Sequence, residues 1–192
     1  MARLILLALM LLLAAAAVLG LRACTEQAER PVAKANPQVA DAIVGLPDGE
    51  TLIAAKGSVG RGLIDWLDAS EGSMASFEVG GREFVEGSAT PTAEGAGRLP
   101  RLVMILRAYP DVHVTIVGHS GPSGDPAADK ELSRARAQFV ADELLAGGLE
   151  AARVSIRAAG SAEPLPADSP LRAGGASDNR VSLTLTRPKA RF

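Results

Sequence analysis

A single cysteine in 192 residues excludes an intramolecular disulfide. Any folded domain must therefore be stable from packing alone. Histidine is almost as scarce, with only His113 and His119. Their spacing makes no metal site, and no cysteine or third histidine joins them. An excess of charge is missing too. Twenty Lys and Arg stand against 22 Asp and Glu, a net charge of −2. That balance argues against a nucleic acid as the main partner. Aromatic residues make up 3%, with one tryptophan, Trp66. No internal repeat is visible. The apolar fraction is 47%, but much of it is alanine. Part of it also lies in one N-terminal run that cannot be counted toward a soluble core.

That run is Leu4 to Leu21, eighteen residues without a charge, flanked by Arg3 and Arg22. A signal-peptide core is usually about 7–15 residues, and a spanning helix needs roughly 20. The run falls between the two classes. Cys24 follows in the context Leu21-Arg22-Ala23-Cys24, which resembles a lipobox except for the Arg. Three outcomes stay open: a retained membrane anchor, lipidation at Cys24, or simple cleavage. The first two tether the chain to a membrane. Residues 1–24 are thus expected to be the anchor or signal segment, and the polar, proline-containing residues 25–39 a linker.

Within residues 40–72, two short apolar runs flank Pro47-Asp48-Gly49, the signature of a hairpin. A short amphipathic helix follows over Gly57 to Asp68. This piece is too small for its own core, so it should pack on the domain C-terminal to it, with Trp66 as the docking side chain. The remainder alternates between strand and helix. Ser76 to Val79 and Arg82 to Val85 are short strand candidates. Thr92 to Tyr109 predicts a helix that begins near Pro100 or bends there. Val112 to Val117 is a strand, Asp129 to Ala146 a helix stopped by Gly147-Gly148, and Val154 to Ala158 a strand. A Gly/Pro/Ala/Ser-rich loop precedes the last strand, Arg180 to Thr186. The expected fold class is α+β: a mixed sheet with helices packed on it and a late hairpin-like strand pair.

On a helical wheel with Leu132 at zero, Val140, Leu144 and Ala137 fall at about 80°, 120° and 140°. Arg136 falls at about 40°, inside this apolar arc. A guanidinium there needs a counter-charge or a ligand. Asp129 and Glu143 are the candidate internal partners. The stretch VTIVGHSGPSG also looks like a nucleophile elbow with Ser120 as nucleophile. Pro122 stands where that motif has glycine, however, and no histidine follows the serine in sequence. The chain is therefore not expected to be an enzyme, nor to use a cofactor.

Gly118-His119-Ser120, Leu132-Ser133, Arg136-Ala137, Val140 and Arg180-Val181 resemble the signature of the OmpA-like domain. That signature reads approximately GHTD, a loop, N-x-x-L-S-x-x-R-A-x-x-V, and later NRRV. The resemblance covers residues 76–187, and residues 40–72 resemble a short extension seen in some members. It implies an α+β domain that binds peptidoglycan non-covalently through the diaminopimelate of the stem peptide. Arg136 would hold the ligand carboxylate, with Asp129, Ser120 and Arg180 as further ligand-binding residues.

The acid that holds the ligand amine in the family is replaced here by Gly121. Leaving an ammonium unpartnered would cost roughly 2–4 kcal/mol. Asp125, Asp129 and Asp178 are the neighbours placed to compensate, Asp129 best of the three; Asp125 reads rather as a solvated turn residue, and Asp129 equally as an N-cap. The expectation is a membrane-tethered protein of a Gram-negative envelope, with its domain in the periplasm, linking the envelope to the wall. The runner-up is a degenerate domain acting as a module for envelope protein partners.

Overall fold

The computed structural model describes residues 42–69, 73–79, 82–173, 175 and 177–188. The Leu4–Leu21 run, Cys24 and the linker lie outside the described residues. In chain order the elements are β1 (Ile43–Gly45), β2 (Thr51–Ile53), α1 (Val59–Ala69), β3 (Met74–Glu78) and α2 (Ala93–Ala108). Then come β4 (His113–His119), α3 (Pro126–Ala146), a 3-10 turn (Ala151–Arg153), β5 (Val154–Gly160), α4 (Pro170–Ala173) and β6 (Val181–Thr186). Among the described residues no helix is long and apolar enough to cross a membrane.

The Pro-Asp-Gly turn does form a hairpin. Gly49 takes φ +88°, a conformation that side chains other than glycine rarely adopt. The Asp48 carboxylate accepts from the Glu50 N–H at 3.1 Å. Val44 pairs with Leu52 and both turn toward the core, while the Ile43–Ile53 pair is exposed. In α1, Leu63, Ile64 and Leu67 are buried. Trp66 meets Phe77 of β3 edge-to-face, with ring centroids 5.9 Å apart. Leu46, Leu52 and α1's buried residues share one apolar cluster with Leu102, Ile105, Val114, Ile116, Leu183 and Leu185.

The main sheet has the order β3-β6-β4-β5. β4 and β5 run parallel, while β6 is antiparallel to both β3 and β4. The sheet is mixed, as the sequence pattern implied. The late strands do not form a pair, however, because β4 lies between β5 and β6. A return loop over residues 161–180 makes this possible: it carries the chain past β4 to the slot beside β3.

Arg82 to Val85 is not a strand. Its backbone pairs with its own return turn: Thr92 N–H donates to Glu83 carbonyl, and Val85 N–H to Thr90 carbonyl. Only an isolated bridge, Phe84 to Pro91, remains. α2 begins at Ala93, seven residues before Pro100, because Thr92 caps it through a hydroxyl that accepts from Gly95 N–H at 3.0 Å. At its other end Arg153 is buried and donates to the carbonyls of Leu106, Tyr109 and Val112 at 2.8–2.9 Å. Arg153 thus satisfies the carbonyls that a helix end leaves open.

α3 packs across β4 and β5. The crossing is closest at Gly118, where any Cβ would collide with the Ser133 carbonyl. The Ser133 hydroxyl donates to the Lys130 carbonyl and accepts from Gly160 N–H at 2.9 Å, so the helix is stitched to β5 as well. Its buried face carries Asp129, Ser133, Arg136, Ala137, Val140, Ala141 and Leu144. Leu132 is only half-buried, so the core-facing arc is rotated away from it.

Candidate functional site

The end of β4, the loop after it, the first turns of α3 and the start of β6 meet at one place. His119 N–H donates to the Arg180 carbonyl and Ser120 N–H to the Gly160 carbonyl, both at 2.9 Å. β4 is therefore clamped between β6 and β5 where the loop begins. A bulge at this end, where His119 faces Gly160, lets the loop turn over the N-terminus of α3.

Asp125 caps α3. Its carboxylate accepts from Ala127 N–H at 2.9 Å and Ala128 N–H at 3.3 Å, with Pro126 filling the first helical position. This corrects the expectation that Asp125 is a solvated turn residue, and of the cap and ligand roles left open for Asp129 it removes the cap, because the helix starts three residues earlier than its apolar pattern suggests. Asp129 is instead buried. Its carboxylate accepts from Ser123 N–H at 3.1 and 3.3 Å and from the Ser161 hydroxyl at 2.7 Å. Those bonds from Ser123 and Ser161 hold its pKa below the usual carboxylate range. The Ser120 hydroxyl is also buried and donates to the Asp129 carbonyl at 3.2 Å. Its partner is not a histidine, which is the opposite of an activated nucleophile.

Arg136 is fully buried, yet no carboxylate accepts from it. Nε donates to the Ser88 carbonyl at 2.9 Å. Nη1 donates to the His119 carbonyl at 2.9 Å and to Asn179 Oδ1 at 2.8 Å. The guanidinium lies 5.4 Å from the Phe84 ring centroid, a cation–π contact. Phe84 in turn packs edge-to-face on Phe139 at 6.0 Å. Asp129 and Glu143, the counter-charges expected from sequence, are not its partners. Burial lowers the Arg136 pKa and the charge of Glu83 opposes that shift. Glu83 is itself buried, 3.4 Å from Arg98. Among the described residues, Arg136 Nη2 is buried without an acceptor.

Asn179 was not singled out by sequence; in the stretch Asp178-Asn179-Arg180-Val181 it stands at the first arginine of NRRV. Its Oδ1 accepts from both Arg136 and Gly121 N–H, the latter at 3.2 Å. Two donors at one atom fix which end of the amide is oxygen. Arg180 is buried and pairs with Glu78 at 2.8 Å, lies 3.7 Å from Asp178 and donates to the Glu163 carbonyl. Its charge is thus answered inside the protein. Asp178 accepts from Leu165 N–H at 2.7 Å and pairs with Arg172 at 3.1 Å. His119 bonds the Ser182 hydroxyl at 2.8 Å. Among the described residues no group of three His, Cys, Asp or Glu is placed to hold a metal.

The OmpA family matches residues 83–177. Those residues form an OmpA family domain. The chain is 33% identical over 103 residues to the probable lipoprotein YiaD of Escherichia coli strain K12, covering 54% of this chain and 47% of that one. It is 33% identical over 87 residues to the peptidoglycan-binding protein ArfA of Mycobacterium tuberculosis strain H37Rv, covering 45% and 26%. The chain therefore spans about half or less of these relatives. Among solved structures it is similar to the cell wall anchor of the T6SS from Pseudomonas aeruginosa. That likeness has 26% identity and a TM-score of 0.47, covering 68% of this chain and 96% of that one.

Within the OmpA domain the geometry brings together Arg136, Ser120 and Asp129 but gives them different tasks. Arg136 is the cation of the site. Ser120 and Asp129 shape the loop above it. Phe84, the Ser88 carbonyl and Asn179 complete the surroundings of the guanidinium. The Ser88 contact carried no sequence signal, because a backbone carbonyl has no side-chain identity.

Proposed function

We propose that this chain binds the stem peptide of peptidoglycan non-covalently, holding a diaminopimelate carboxylate on Arg136, and so links a bacterial envelope to its wall. One observation carries the reading: a buried guanidinium whose partners are all neutral and whose Nη2 has no acceptor. An unsatisfied buried donor costs roughly 1–3 kcal/mol, more when charged. A ligand carboxylate removes that cost and suits the planar fork of arginine. On this reading a carboxylate oxygen takes the place of the Ser88 carbonyl on Nε. Asp129 and Ser120 keep the Ser120–Asp125 loop in shape around the ligand. Arg180, through Glu78, holds the start of β6 so that Asn179 stays on Arg136. The peptidoglycan-binding name of one relative supports the same reading.

Tethering belongs to this proposal. Leu4 to Leu21 is a membrane anchor, or its removal exposes Cys24 for lipidation; a relative described as an outer-membrane lipoprotein supports an envelope location. The mass of the mature N-terminus distinguishes the two routes.

The test is retention on purified sacculi. Wild type is retained. Arg136→Ala loses roughly tenfold or more of its retention, equivalent to one charge-assisted bond. Arg136→Lys keeps the charge but not the fork, and binds weakly with its fold intact by circular dichroism. Equal retention of all three proteins would sink the proposal. A second reading, a domain that has lost its wall ligand and serves assembly, draws on the missing acid at Gly121. Absence of wild-type retention favours it.

A further inference from the structure

The donors and acceptors around Arg136 are unevenly distributed. The acids of the loop and of the start of β6 are already engaged. Asp129 accepts from Ser123 and Ser161, and only 3% of it is exposed. Asp125 caps α3. Asp178 holds Arg172 and Leu165. Glu83 is 4% exposed and lies beside Arg98. Asp125, Asp129 and Asp178 are thus taken, and none of the three is open to a ligand ammonium at Gly121. Donors, by contrast, are in surplus. Arg136 Nη2 has no acceptor. The Oδ1 of Asn179 is occupied by Arg136 and Gly121, which leaves the donor Nδ2 as the other end of the amide. That Nδ2 lies beside Gly121, 3.6 Å from where a Cβ would stand. The missing side chain therefore leaves a small space next to a hydrogen-bond donor.

Resting on the peptidoglycan reading, we propose that this pocket takes a stem-peptide carboxylate whose neighbouring amine is acylated. The carboxylate accepts from Arg136 Nη2. The acyl carbonyl occupies the space at Gly121 and accepts from Asn179 Nδ2. A neutral amide needs no anionic partner, so the absence of an acid costs nothing. A free ammonium in the same place would face a guanidinium and an amide donor, both repulsive. In peptidoglycan, cross-linking acylates a diaminopimelate amine. The pocket accordingly favours cross-linked over uncross-linked stem peptides.

The test compares two probes that differ only in whether their amines are acylated, meso-diaminopimelate and its N,N′-diacetyl derivative. Each is titrated against the full-length chain by ligand-observed NMR, with sacculus retention measured in parallel. The diacetyl probe is expected to bind wild type at least as tightly as the free amino acid. Gly121→Asp should shift the ratio roughly tenfold or more toward the free amino acid, the effect of one charge-assisted hydrogen bond. The Cβ of that variant has only ordinary contacts, so it is expected to fold. A tenfold wild-type preference for free diaminopimelate would overturn this inference while leaving the peptidoglycan reading standing. So would sacculus retention with neither probe bound. Failure of wild type to bind sacculi overturns the peptidoglycan reading and this inference with it.

Discussion

A histidine buried next to an arginine resists protonation. Burial, and then the charge of Arg180, bring the His119 pKa down from 6.5 to about 4. Between these values the unfolded chain binds a proton that the folded chain does not. Stability must therefore fall as pH drops from about 6.5 to about 4, by up to roughly 3 kcal/mol. Urea unfolding at several pH values tests this. His119→Gln should flatten the slope in that window, and an unchanged slope would refute the assignment. At this scale Arg136 was legible from the sequence because a cation at about 40° on an apolar arc has few innocent explanations. Its partners were not legible. Two are backbone carbonyls, and the third, Asn179, is 43 residues away. The cap was not legible either, because Asp125 and Asp129 are both acids near one helix start, and only the turn geometry separates a cap from a loop support.

The helix that carries Arg136 depends on its first turn. Asp125 satisfies two of the N–H groups that the helix leaves open. Asp125→Ala should lower stability by about 1 kcal/mol, whereas Asp125→Asn should stay within a few tenths of wild type. Thermal melts of the three proteins measure this directly, and an unchanged alanine variant would show that the cap contributes nothing. Elements with a clean period were readable: β4, β6 and α3 follow their apolar patterns to within a few residues. Arg82 to Val85 misled because its apolar pair, Phe84 and Val85, has the composition of a strand. The capping demand of Thr92 folds that segment back on itself instead. The strand order was also out of reach, since no local pattern records which slot a strand occupies.

Across the molecule, the hairpin and α1 share their apolar cluster with the sheet. They should therefore unfold with it. Leu67→Ala in α1 and Ile116→Ala in β4 each remove a fully buried side chain, at a cost of roughly 2–5 kcal/mol. Both should shift one common transition for residues 42–188 in calorimetry. A separate low-temperature transition in the Leu67→Ala protein would show that the extension melts alone. The sheet order has a further consequence, which concerns time. Among the described residues β6 is the last strand, yet it lies between β3 and β4, and β3 pairs with no other strand. Asn179 and Arg180 arrive with it. A chain emerging from synthesis or export thus holds α3 and Arg136 well before it holds their surroundings. The surroundings of Arg136 are complete only when β6 slides into the gap, so a chain that lacks this strand cannot form them.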